Sequence, residues 1–223
     1  MDIISKAISV AIVGAVVGAA LIGCASVPRG VAPVTGFDAE RYLGKWYEIA
    51  RLDHSFERGL DRVDTIYSKR PDGSIAVLNR GYDPAKRRWR EARGVARFRV
   101  SKDVASFRVT FFWPFSGGYH VIALDRDYQW ALVAGSSRKY LWILAREPRL
   151  DSATYERLVG VAREAGFPVE SLIRVEQAQE GTRTDTDMHG RARGGEPQPM
   201  AEMREGLPSA CRPDVAGAPL GAL

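Results

Sequence analysis

The stretch Tyr42-Leu43-Gly44-Lys45-Trp46-Tyr47-Glu48-Ile49-Ala50-Arg51 decides how the chain is read, because it opens a long series of short apolar runs separated by turn residues. Runs rich in β-branched and aromatic residues predict strands near 45–52, 62–69, 74–81, 91–100, 104–112, 118–125, 129–135 and 139–146. Between them, Pro71-Asp72-Gly73, Tyr82-Asp83-Pro84, Ser101-Lys102-Asp103, Ser116-Gly117-Gly118, Asp125-Arg126-Asp127 and Ser136-Ser137-Arg138 carry the chemistry of hairpin turns. Eight antiparallel strands with short connections predict an all-β fold, an up-and-down barrel whose closure removes the edges an open sheet would expose. The next segment changes period. Asp151 can cap a helix in which Tyr155, Leu158, Val159, Ala162 and Ala165 recur at helical spacing, and Gly166-Phe167-Pro168 ends it. This C-terminal α-helix is expected to pack on the outside of the barrel, with Leu172-Ile173-Arg174-Val175 returning as a short extra strand.

Outside this middle lie two different ends. Ala7 to Ile22 is an uncharged, mostly apolar or small run preceded by Lys6, shorter than the ~20 residues a spanning helix needs, so residues 1–23 read as a cleaved export signal. An uncleaved anchor is the alternative. Leu21-Ile22-Gly23-Cys24 resembles the lipobox of bacterial lipoproteins, which implies cleavage before Cys24 and acylation of its sulfur, tying the protein to the bacterial membrane. Ala25 follows the cysteine, which by the same resemblance favours the outer membrane with the domain facing the periplasm. Residues 24–36, with Pro28, Gly30 and Pro33, read as a lipidated tether, residues 37–178 as the barrel with its helix, and residues 179–223 as a disordered tail. That tail has seven Gly, five Pro and no aromatic residue. With Cys24 acylated, Cys211 is left as a free thiol, a Cys24–Cys211 disulfide being the alternative.

The whole chain is 45% hydrophobic and 26% charged, which excludes a wholly disordered chain, a collagen or a multi-span membrane protein. Its two cysteines exclude a disulfide scaffold and a cysteine-built zinc site. The tail holds five Arg against seven acidic residues, so a chain of net charge +5 keeps +7 in the part before it. Such a body attracts anionic lipid or nucleic acid. An exported protein does not meet nucleic acid, which leaves lipid, and Lys86-Arg87-Arg88-Trp89-Arg90 is the densest basic run. That run reads either as a solvated strand face or as a membrane contact.

The opening stretch also resembles the first signature of the lipocalins, in which the tryptophan, here Trp46 after Gly44, plugs the closed end of the barrel. Asp125-Arg126-Asp127-Tyr128 is similar to the second signature, and Arg146, closing the eighth strand, to the third. The resemblance implies that Arg146 packs across Trp46, a cation–π contact worth about 0.5–2 kcal/mol. Within the family, Arg51-Leu52-Asp53-His54-Ser55-Phe56-Glu57-Arg58-Gly59, Asn79 to Pro84, Phe111 to Tyr119 and Tyr140 to Arg146 resemble the subgroup of bacterial outer-membrane lipocalins and the animal apolipoprotein D. It extends from about Phe37 to Gln177, and the tail departs from it.

An eight-stranded barrel is just wide enough to be filled by side chains or to hold one small ligand. Strand alternation, with Trp46 inward, places Glu48 and Ala50 inward; with Arg146 inward, Leu144 and Trp142 follow. Val63, Thr65 and Tyr67 share one parity, as do Ile75, Val77 and Asn79. By position, the resemblance implies that Tyr67, Asn79, Trp142 and Leu144 line a pocket, and apolar parity adds Phe98, Phe107, Val109, Tyr119 and Val121. Glu48 is expected to be a buried, hydrogen-bonded carboxylate that titrates abnormally. Such a wall suits a fatty acid or lysophospholipid. The function that follows is noncatalytic binding, storage or transport of such lipids at the cell envelope, with another hydrophobic ligand (sterol, isoprenoid, haem) or a noncarrier scaffold as alternatives. No cofactor or metal is implied, since His54, His120 and His189 are scattered and no cysteine lies within the barrel. The oligomeric state stays open between monomer and homodimer.

Overall fold

Turn residues cut the chain into nine strands in a computed structural model that describes residues 25–112 and 115–177. The expected signal, Cys24, the dipeptide Trp113-Pro114 and the tail from 178 on, including His189 and Cys211, lie outside the described residues. A short helix α1 (Ala39–Tyr42), capped by the Asp38 carboxylate on Glu40 N, leads into β1 (Gly44–Leu52). The strands β2 (Asp61–Lys69), β3 (Ile75–Asp83), β4 (Arg88–Phe98), β5 (Ser106–Phe112), β6 (Phe115–Leu124), β7 (Trp130–Ala134) and β8 (Leu141–Ala145) follow. Each pairs antiparallel with the next, and β1 pairs with both β8 and β2, closing an eight-stranded barrel. The helix α2 (Ser152–Glu164), a 3₁₀ turn (Val169–Ser171) and β9 (Leu172–Arg174) complete the fold.

Helix α1 and the register of two turns depart from expectation. Ser116-Gly117-Gly118 is not a turn but part of β6, with Gly117 opposite Val109 and Gly118 opposite Arg108. The β3–β4 connection turns after Asp83, at Pro84 to Arg87.

Two cores share the wall formed by β1, β7 and β8. Ala131, Val133 and Leu144 face the barrel interior with Trp46, Tyr67, Val77 and Phe107. Their neighbours Leu132, Ala134, Leu141 and Ile143 face outward, against Tyr155, Leu158, Val159 and Ala162 of α2. A strand buried on both faces explains why this part of the sequence is continuously apolar rather than alternating. Each large side chain buried under the helix contributes about 1.5–3 kcal/mol. The Asp151 carboxylate accepts from Thr154 N at 2.9 Å, and Gly166, at φ +79°, takes the left-handed turn that stops the helix.

Alternation along β1 breaks at one point. Glu48 stands opposite Leu144 and Ala50 opposite Ile143, so Ile49 is an extra residue in the ladder. The expectation that Ala50 faces inward is therefore corrected: the bulge reverses the parity, Ala50 packs under α2, and Arg51 turns to the interior side beside Glu48. The same strand changes partners. Gly44 to Tyr47 pair with β2, whereas Ala50 to Leu52 pair with β9. Gln177 spans the resulting split, its amide donating to Glu48 O at 2.8 Å and Val63 O at 2.9 Å.

Residues 25–36 run along the outside of the wall. Val34 N donates to Val121 O and Ala105 N to Val34 O, Thr35 bridges Val104, and Ala25 is fully buried.

Candidate functional site

The closed end is built from the residues singled out as signatures. Trp46 is fully buried, its indole N–H donating to Tyr42 O at 2.8 Å, and the Arg146 guanidinium lies 4.0 Å from its ring centroid. Arg146 also donates to Arg41 O, Lys45 O and Tyr128 O, so one side chain ties three segments at the base. Gly44 is at φ +94°, and a Cβ there would lie 3.3 Å from Arg146 Nη1; the position needs glycine on both counts. Asp125 accepts from the amides of Asp127 and Gln129, setting the turn that presents Tyr128, whose hydroxyl accepts from Asp38 N at 2.8 Å. These residues form the plug and take no part in the cavity above it.

Above the plug the barrel is not filled. A cavity of about 220 Å³ is walled by side chains from β1 to β6 and β8, among them Tyr67, Val77, Phe107, Val109 and Leu144. Of the nine residues expected to line a pocket, Tyr67, Asn79, Phe107, Val109, Tyr119, Trp142 and Leu144 do so. Phe98 and Val121 do not. Phe98 packs tilted against Phe107, ring centroids 4.7 Å apart, and borders a second, separate hollow lined by Phe37, Leu43 and Ile75. Val121 is fully buried in the closed-end core, where the segment at Val34 crosses its backbone. Both have inward parity, but the aromatic packing at the base fills the space in front of them. Parity names a face and not a depth.

Three tyrosine hydroxyls meet on the cavity wall: Tyr42 Oη lies 2.7 Å from Tyr119 Oη, and Tyr67 Oη donates to the same oxygen at 2.8 Å. Burial raises the phenol pKa of all three well above its ordinary value, so they remain neutral donors and acceptors. Thr65 Oγ1 donates to Asn79 Oδ1 at 3.0 Å beside them.

The upper half is more strongly charged. Arg51, buried, donates to Glu48 Oε1 at 2.7 Å and to the carbonyls of Glu57 and Leu60 at 2.9 and 3.1 Å. Glu57 Oε2 accepts from the Trp142 indole N–H at 3.1 Å, and His54 Nε2 is 3.1 Å from the same oxygen. Burial and the neighbouring Glu57 charge hold the Glu48 carboxyl well above the usual carboxylate range, against the pull of Arg51. Burial also opposes ionisation of Glu57, yet its contacts with His54, Trp142 and Arg51 outweigh it and bring that carboxyl below the usual range. The cluster pins the β1–β2 connection over the cavity, where Phe56, Glu57 and Leu60 form part of the wall and Phe56 stacks on His54 at 3.9 Å. Arg90, from β4, borders the cavity at the same end.

Phe56, Glu57, Leu60, Tyr140 and Arg90 escaped the reading of the sequence. The loop residues have no periodicity to betray them. Arg90 shares the parity of Ala92 and Ala96, a signal that the neighbouring basic residues masked. Chemically, the arrangement offers a long apolar slot with neutral hydroxyls below and paired charges above.

A protein-family model described as a lipocalin-like domain matches residues 37–177. The chain is 50% identical over 169 residues to the outer membrane lipoprotein Blc of Citrobacter freundii, an alignment covering 74% of this chain and 96% of that one. It is 30% identical over 151 residues to apolipoprotein D of Mus musculus, covering 64% of this chain and 78% of the other. Among solved structures, the cockroach allergen Per a 4 superposes with a TM-score of 0.55 at 22% identity, over 69% of this chain and 96% of that one.

Proposed function

The chain belongs to the lipocalin family, and on that footing we propose that it is a noncatalytic, envelope-anchored carrier of single-chain amphiphiles such as fatty acids or lysophospholipids. The observation that carries this reading is the cavity. Its walls are mostly apolar and aromatic, matching an acyl chain, with neutral hydroxyls low in the cavity, and its charged groups gather toward the mouth, where Arg90, Glu57 and Trp142 would meet a head group. The open interior weighs against a filled scaffold. Anchoring rests on Cys24 and the preceding Leu21-Ile22-Gly23, with cleavage after residue 23 and acylation of the cysteine. The name of the Citrobacter freundii relative, an outer membrane lipoprotein, supports the same membrane, and the domain would face the periplasm.

Mass spectrometry of lipids that co-purify with the protein extracted from its own envelope tests the ligand class, together with titration of intrinsic tryptophan fluorescence by fatty acids and lysophospholipids. Single-chain lipids should be enriched over bulk phospholipid, and Trp142 should report their entry. Neither enrichment nor a fluorescence change across that panel would remove the carrier reading.

A further inference from the structure

The three tyrosine hydroxyls on the cavity wall do not satisfy one another. Each phenol carries one hydrogen, and burial keeps Tyr42, Tyr67 and Tyr119 protonated, so the group holds three donors. Only two hydrogen bonds join them: Tyr67 Oη donates to Tyr119 Oη at 2.8 Å, and Tyr42 Oη and Tyr119 Oη, 2.7 Å apart, share a single hydrogen in one direction or the other. If Tyr42 gives it, the Tyr119 hydrogen is left over; if Tyr119 gives it, the Tyr42 hydrogen is. Either way one O–H of the group has no acceptor among the described residues.

The wall around the group does not take up that hydrogen. The strands use their carbonyls in the ladder, with Tyr67 opposite Val77 and Tyr119 opposite Phe107, and the side chains packed nearby, Trp46, Val77, Phe107 and Leu144, offer no oxygen. Tyr42 and Tyr67 are only 2% and 7% exposed, so what the hydroxyl group reaches is the cavity that all three tyrosines line. Asn79 adds a donor on the same wall. Its Oδ1 accepts from Thr65 Oγ1 at 3.0 Å, and its amide N–H groups have no partner among the described residues. Water can serve these donors while the cavity holds no lipid. A methyl group arriving at the same depth displaces that water and strands a buried donor.

The acceptor that fits is neutral. A carboxylate at this depth would be desolvated with no cation hydrogen-bonded to the group: Arg146 commits its donors to the carbonyls of Arg41, Lys45 and Tyr128, and Glu57, higher on the wall, is itself an ionised acid. We propose that the cavity selects amphiphiles whose chain carries a neutral oxygen, a hydroxyl or a ketone, at its buried end, received by the Tyr42, Tyr67 and Tyr119 hydroxyls and the Asn79 amide while the ionic head stays at the mouth. The proposal rests on the carrier reading and narrows its ligand to chains oxygenated far from the head group.

The full-length protein, extracted from its envelope and stripped of lipid, is titrated with ω-hydroxy fatty acids of increasing chain length, with their mid-chain hydroxy isomers and with the unsubstituted acids, following tryptophan fluorescence. One buried hydrogen bond is worth on the order of tenfold in affinity. At the length that reaches the tyrosines, the ω-hydroxy acid should therefore bind about tenfold tighter than its mid-chain isomer, which has the same composition. The matching acid with a ketone on the penultimate carbon should share the advantage, because it accepts without donating. Tyr42→Phe, Tyr67→Phe and Tyr119→Phe together should abolish the advantage and leave the unsubstituted acid bound at least as tightly, which also reports that the variant is folded. The isomer comparison on the unaltered protein decides the proposal without any variant. Equal binding of the isomers at every length, or a full advantage kept in the triple variant, overturns it while the carrier reading stands. A protein that binds none of these acids refutes the carrier reading itself.

Discussion

His120 joins the first described residues to the barrel wall. Its Nε2 faces Ser26 O at 3.1 Å and its Nδ1 faces Ser106 Oγ at 3.0 Å, an arrangement that suits the neutral ring with the proton on Nε2 and the serine hydroxyl donating to Nδ1. Burial, with the Arg99 charge adding to it, brings the imidazole pKa down to about 4 despite the carbonyl contacts. The unfolded chain therefore takes up this proton at a higher pH than the folded one. The stability it confers is fully present above about pH 6.5 and is lost as pH falls toward 4, by about 3 kcal/mol in all. Urea denaturation from pH 7.5 to 4 should show this loss, and His120→Gln should flatten that part of the profile. An unchanged slope in the variant refutes the assignment. At the same scale, the Glu48–Arg51–Glu57 group sets two buried carboxyls with opposite shifts beside one arginine, which donates to Glu48 Oε1 and to the main-chain oxygen of Glu57: burial dominates at Glu48, while the Trp142 indole donor and the neighbouring His54 stabilise the Glu57 carboxylate.

Among the elements, β1 is the one whose behaviour was least legible. The eight strands and the helix could be read because alternation, turn residues and caps are local, and α2 begins and ends at Asp151 and Gly166 as the caps dictate. The bulge at Ile49 could not be read, since nothing in Glu48-Ile49-Ala50 announces it; it exists because β1 must leave β2 and meet β9, more than a hundred residues away. The site was legible to the same degree. Residues on regular strands could be placed, Phe107, Val109 and Tyr119 by apolar parity and Tyr67, Asn79 and Leu144 by the family resemblance, whereas Phe56 and Glu57 lie on a connection whose path over the cavity is fixed by Arg51. Gln177 closes the split that the partner change creates, supplying donors to two carbonyls that β1 and β2 can no longer pair with each other. Gln177→Leu should leave both unsatisfied and cost about 1–3 kcal/mol, read from the urea midpoint. Amide exchange at Arg62 and Val175, which bond Glu176 O and Ile49 O, should accelerate with it. A loss below about 0.5 kcal/mol with unchanged exchange would mean that β9 alone holds the seam.

For the whole molecule, the division of labour runs along the barrel axis. The base is packed: Phe37, Tyr42, Trp46, Phe107 and Tyr128 form a continuous aromatic group, with Arg146 closing it from outside. The upper part keeps its interior open, so the walls there lack the contacts that a filled core would give them, and an amphiphile supplies those contacts when it enters. Binding and stability are therefore linked, and a ligand held at 100 times its dissociation constant should stabilise the fold by about 2.7 kcal/mol. Ala92 offers a way to separate the two. It stands opposite Asn79 on the cavity wall, and a phenylalanine there projects into open space instead of into packed neighbours. Ala92→Phe should leave the melting temperature of the empty protein within a few degrees of the parent, by roughly 1 kcal/mol in either direction. The rise in melting temperature that the parent shows with a saturating fatty acid should shrink or vanish in the variant. A variant that melts like the parent and still gains the full ligand-induced rise would place the binding site elsewhere than this cavity.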